Sequence, residues 1–226
     1  MTTPAPSTPA PDHVAPAPDA AADPRSDALT FGVGARLTAA VMSDRYVEII
    51  TGALAEVDAS GLVVESGDVS TYVGGPEADL LDYLTRFCTA IAASGAHASI
   101  SVHLSRGCPG EVVCALPGGV GPRAVEPPRG VRTGRFVAAE WALYPLENTV
   151  RAGVQPDHMR DIYAAIEQAR ATGTVVASEH FVTRLEGDLG TVLETVVSGW
   201  AGVGRTVQHV TSHLTLSVNS PSHAAR

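Results

Sequence analysis

Residues 97–110 read HASISVHLSRGCPG, and residues 209–222 read HVTSHLTLSVNSPS. The first stretch alternates over nine residues. Ala98, Ile100, Val102 and Leu104 fall on one face, and His97, Ser99, Ser101, His103 and Ser105 on the other. Strict alternation with a period of two marks a strand buried on one side. Its polar face carries only Ser and His, where a face turned to bulk water usually carries long charged side chains. The second stretch repeats the pattern, with His209, Thr211, His213, Thr215 and Ser217 on the polar face. Such a face suits packing on another sheet or cradling a polar neutral ligand.

These strands belong to a longer duplication. Residues 61–110 set over 173–222 without a gap, an offset of 112, share eleven identities in fifty positions, against roughly three by chance. The matches include Gly61, Ser66, Thr71, Gly75, His97 and Pro109. Each copy reads strand, helix, strand, strand, helix, strand. In the first copy ARLTAAV is a strand, and Ser43 is placed to cap a helix with Val47, Ile50, Leu54 and Val57 in one stripe. LVVES and VSTYV follow as strands. Pro76 opens a second helix whose Leu80, Leu81, Leu84, Phe87, Cys88 and Ile91 form its buried face. In the second copy Asp157 and Asp188 are the cap candidates. The order βαββαβ is the ferredoxin-like unit, so the expectation is an α+β protein of two tandem ferredoxin-like repeats with antiparallel sheets. Each sheet is buried on one face under two helices and open on the other.

The boundaries follow from composition. Residues 1–30 are Pro, Ala and Asp with little to bury and read as a disordered tail. The first repeat spans 31–110, a Pro- and Gly-rich linker 111–134, the second repeat 135–222, and a short tail 223–226. The chain carries 24 acidic and 15 basic residues, all of the latter Arg, for a formal charge of −9. That balance argues against nucleic acid, whose affinity rests on neutralised phosphates. No apolar run reaches membrane-spanning length and no signal peptide is evident. Cys88, Cys108 and Cys114 form no CxxC pair, which suits free thiols in a cytoplasmic setting. Neither His97 with His103 nor His209 with His213 shares one metal ion, because a strand rise of ~3.3 Å per residue sets them too far apart. No metal and no cofactor is expected. Cys108 lacks a base near in sequence.

The stretches GARLTAAVMSD, SGDVSTYVGG and SVHLSRGCPGE in the first copy, with WALYP, SEHFVTRLEGD and TLSVNSPS in the second, resemble the YkoF family of thiamine- and hydroxymethylpyrimidine-binding proteins. The resemblance runs from about residue 34 to 222 and includes the duplication. It implies a ligand-binding protein and not an enzyme, with one pyrimidine site per repeat. It also implies a homodimer and a link to a transporter that takes up the thiamine precursor. Thr71 of VST and its repeat partner Thr183 are the positions carried over as ligand contacts. So is the backbone at the end of each first strand, at Ala39 and Leu143. Beside them Asp68 and Ser70, and in the second copy His180, lie on the other side of the strand. Trp141 and Tyr144 are placed to stack on a ring or face a cation, and a core role for Trp141 stands equally. The loop 145–156 is longer than the family's and would cover or reshape the second site. Two other readings stay open: a ferredoxin-like regulatory or interaction module, and an enzyme dependent on Cys108.

Overall fold

The two polar-faced strands meet. In the computed structural model, which describes residues 26–108, 120–146 and 158–223, they pair antiparallel over nine residues, from Ala98 opposite Val218 to Arg106 opposite Val210. The first repeat contributes β1 (Gly34–Val41), α1 (Tyr46–Glu56), β2 (Val63–Ser66), β3 (Thr71–Gly74), α2 (Glu77–Ala93) and β4 (Ala98–Arg106). The second contributes β5 (Phe136–Pro145), α3 (His158–Ala171), β6 (Val175–Ser178), β7 (Thr183–Asp188), α4 (Leu189–Val203) and β8 (Val210–Val218). Both follow the βαββαβ order.

The repeats therefore share one eight-stranded antiparallel sheet in the order β2-β3-β1-β4-β8-β5-β7-β6. Sequence patterning left two separate sheets as the expectation, with their open faces available to each other. The reason for fusion is the edge. Each unit leaves its last strand with a row of unpaired N–H and C=O groups, and the two rows satisfy one another. All four helices cover one face, in the order α1, α2, α4, α3. Leu80, Leu81, Leu84, Phe87, Cys88 and Ile91 of α2 are all buried, as are Val192, Leu193, Val196 and Trp200 of α4. Burial pushes the Cys88 thiol up to about 12, which makes it a packing group and not a nucleophile.

The outer helices are less enclosed. Of the expected α1 stripe, Val57 is buried, Ile50 and Leu54 are half-buried and Val47 is exposed. Strands β2 and β3 beneath are only four residues long, too short to cover a whole helix face. The same is true of β6 under α3.

Acidic side chains at two helix starts hold the segment between the repeats. Asp188 caps α4 by accepting from Gly190 and Thr191 N–H, and also accepts from Thr133 and Gly134 N–H. Burial works against its charge, yet these backbone donors hold its carboxyl below the usual range. At the start of α2, buried Glu77 accepts from Arg123 at 2.7 Å and pairs with Arg106 at 3.2 Å. Arg106 is fully buried between the rings of Phe31 and Trp200, and donates to the carbonyls of Ala201 and Arg123. Burial pushes its guanidinium down to about 10, against the pull of Glu77. Order also starts ahead of Phe31: Asp27 accepts from Thr30 N–H, and Ala28 is buried. Most of the N-terminal tail, Cys114, Asp157, and the loop beyond Leu146 lie outside the described residues.

Candidate functional site

Because α3 outruns the short strands below it, a cavity of about 340 Å³ opens between its first turns and the ends of β5 and β7. Three of the four second-repeat candidates, Trp141, Leu143 and Thr183, line it. Their spacing explains the convergence. Trp141 and Leu143 alternate onto the helix side of β5, and Trp141 pairs in register with Thr183 of β7. The Trp141 indole is fixed: Nε1 donates to Ser212 Oγ at 2.8 Å, which donates to the Ala142 carbonyl at 3.1 Å. Trp141 is thus both core and cavity wall. Thr183 is buried, and among the described residues its hydroxyl has no hydrogen-bond partner. The hydroxyl is not enclosed by protein: it opens onto the cavity, where a ligand or water can be its partner.

His180 does not enter this cavity. It sits on the turn between β6 and β7, closed by the Glu179 N–H donating to the Val182 carbonyl at 2.9 Å. It faces a shallow groove on the far side of the turn, with Glu140, Glu179 and Phe181. Tyr144 lies at the rim, half out of the surface on the open face of the sheet.

The first repeat places its candidates differently. Thr71 is buried on the helix side, in register with Leu37, and its hydroxyl is 3.0 Å from that of Ser66. Ala39 is half-buried on the same face. Ser70 lies on the open side, accepting from Arg36 at 3.2 Å, and Asp68 is exposed on the turn. Val69, expected on the Thr71 face, precedes the strand and is exposed, because the chain is still turning there. The structure therefore separates Thr71 and Ala39 from Ser70 and Asp68 by the thickness of the sheet.

The Ser/Thr/His face is the uncovered side of the shared sheet. His103 and His213 oppose each other across β4 and β8, and Ser101 Oγ is 2.9 Å from His213 Nε2. Burial, with His213 beside it, holds the His103 imidazole below its ordinary value, and burial does the same to His209. Arg36, Ser70, Ser101, His103 and His213 share a groove of about 370 Å³ there. No cluster of three or more metal-ligating side chains occurs among the described residues. Cys108 is a free, half-buried thiol that shares a small cavity of about 190 Å³ with Arg36, Tyr72 and His103.

Ile162, Ile166, Tyr163, Ser178 and Glu179 also line the second cavity, and sequence reasoning did not single them out as site residues. Ser178 left a signal, being identical to Ser66 in the repeat alignment. The helix residues left none, since a stripe on α3 reads the same whether it meets core or cavity.

No described helix is long and apolar enough to cross a membrane. The Bacillus subtilis (strain 168) protein named "Putative HMP/thiamine-binding protein YkoF" is 28% identical over 195 residues, covering 85% of this chain and 93% of that protein. The YKOF-related family matches twice, at residues 32–111 and 136–223, which are the two βαββαβ units described above. With both repeats matched over most of its length, the chain belongs to the YKOF-related family.

Proposed function

We propose that this protein binds thiamine or its hydroxymethylpyrimidine moiety without transforming it, one ligand per repeat. The observation that carries this reading is the second cavity, where the Thr183 hydroxyl opening onto it, a fixed indole and the strand-end backbone at Leu143 converge. Its volume sits at the small end of ligand sites, roughly 300–1,000 Å³. An aminopyrimidine offers ring-nitrogen acceptors and an exocyclic amine donor. The Thr183 hydroxyl complements either, and an apolar wall of Leu143, Ile162 and Ile166 suits the flat ring. The name of the Bacillus relative supports the same ligand class.

By extension the protein serves uptake or salvage of the thiamine precursor in the cytoplasm, as a homodimer working with a transporter. Calorimetry against thiamine and hydroxymethylpyrimidine, with light scattering for the dimer, tests the reading. Two ligands per chain and a raised Tm are expected, since a ligand that binds only the native state stabilises it. Absence of heat and of any Tm shift at millimolar ligand would remove the proposal.

A further inference from the structure

The two repeats differ in charge beside their β–β turns. Strand pairing aligns Arg36 opposite Tyr72 in the first repeat with Glu140 opposite Arg184 in the second. On the turns themselves, the 112-residue offset sets Glu179 where the first repeat has Gly67, and Phe181 where it has Val69. On the neighbouring helix Tyr163 takes the place of Thr51. The first repeat's one turn carboxylate, Asp68, is exposed and faces His180 in that alignment. Glu179 lines both the second cavity and the groove beside it, no arginine lines either, and Glu179 has no ion-pair partner among the described residues.

Phe181 adds an independent sign. It is 96% exposed, and its φ is +70°. A bulky side chain in the left-handed region is a steric outlier, and glycine would occupy it freely. An exposed aromatic ring held on a strained backbone at the mouth of a cavity is what a ligand-gripping residue looks like. Ring faces attract cations, most strongly where water is displaced.

We propose that the second repeat is the cation-accepting site of the pair: Glu179, with the rings of Tyr163 and Phe181, holds a positively charged heteroaromatic ring such as thiazolium. The first repeat then takes the pyrimidine without such a charge. This rests on the reading of the cavities as thiamine-type sites.

Tryptophan fluorescence in a Trp200→Phe background, where Trp141 on the wall of the second cavity is the remaining indole, reports its occupancy. In that background the otherwise wild-type protein and the variants Glu179→Gln and Phe181→Gly are titrated with thiamine and with hydroxymethylpyrimidine at low and high salt. Glu179→Gln is expected to weaken thiamine about five- to tenfold and to remove most of its salt dependence, with hydroxymethylpyrimidine within about twofold. Phe181→Gly is expected to weaken thiamine while leaving Tm equal or higher, because the strain is relieved. Equal weakening of both ligands, or unchanged thiamine affinity in both variants, would overturn the charge assignment while leaving the site. Failure of either ligand to bind the wild-type protein would overturn the proposed function and this inference with it.

Discussion

Thr71 and Thr183 occupy the same place in the two repeats, each opposite a serine in register, Ser66 in one and Ser178 in the other. In the first repeat the two hydroxyls lie 3.0 Å apart. In the second they make no such contact, and Thr183 opens onto a cavity instead. The backbone accounts for the difference. Strand β2 pairs with β3 in unbroken register, whereas β6 carries an irregularity between Val175 and Ala177 where it meets β7. A bulge re-aims the side chains around it, and bulges are common next to binding sites. That irregularity, next to the Ser178–Thr183 pair, is the local difference between a threonine whose hydroxyl meets a serine and one left for another partner.

The largest expected effect concerns the anchors of the two central helices. Glu77 is buried against Arg106 and Arg123, and Asp188 takes backbone donors near the surface. Glu77→Gln leaves the buried Arg106 unpaired and is expected to cost about 3–5 kcal/mol in urea unfolding. Asp188→Ala loses a cap and is expected to cost about 1–2 kcal/mol. Equal costs would break the contrast between a buried charge cluster and a surface cap.

The threonines sharpen the comparison directly. Thr183→Val removes a hydroxyl with no partner among the described residues, so stability should hold while second-site affinity falls by about 1–3 kcal/mol. Thr71→Val deprives Ser66 of its neighbour and should lower stability by about 1 kcal/mol. Calorimetry beside thermal melts checks both. If Thr183→Val binds like wild type, the unpaired hydroxyl is not a ligand contact.

A smaller effect is expected at the seam between the repeats. Burial, then His213 opposite, lowers the His103 pKa, and burial lowers that of His209. Above the unfolded value of about 6.5 both states hold neutral imidazole, and nothing is lost. As pH falls below that, the unfolded chain takes the proton first, so stability declines until the folded pKa is passed. Tm should therefore drop between pH 7 and pH 5.5, and less steeply in His103→Gln. A Tm that rises on acidification would reverse the assignment. The smallest effect belongs to Cys108. Alkylation with iodoacetamide should leave both ligand affinities unchanged, because the thiol lies on the open face of the sheet, away from the cavity under α3. Loss of binding would favour a Cys108-dependent reading.

Much of this was legible in the chain itself. Alternation assigned Ile100, Val102 and Leu104 to the core, and α2 buries the six residues that its periodicity marks. The repeat and the family resemblance point to Thr183 and Leu143, and the place of Trp141 beside the strand end points to it; all three line one cavity. Alternation already sets Ser70 and Asp68 on the other side of the strand from Thr71, and Ser70 faces Arg36 there. His180 was displaced by the turn that carries it.

Local pattern determined the βαββαβ order, the duplication and the buried faces, because periodicity and turn chemistry act over a few residues. Only tertiary structure decided the edge pairing of β4 with β8, the irregular register of β6 on β7 and the gap beneath α3. It also brought Glu77, Arg106 and Arg123 into one buried cluster. Each of these depends on how segments of unequal length meet across the fold, and no window of the sequence contains both partners.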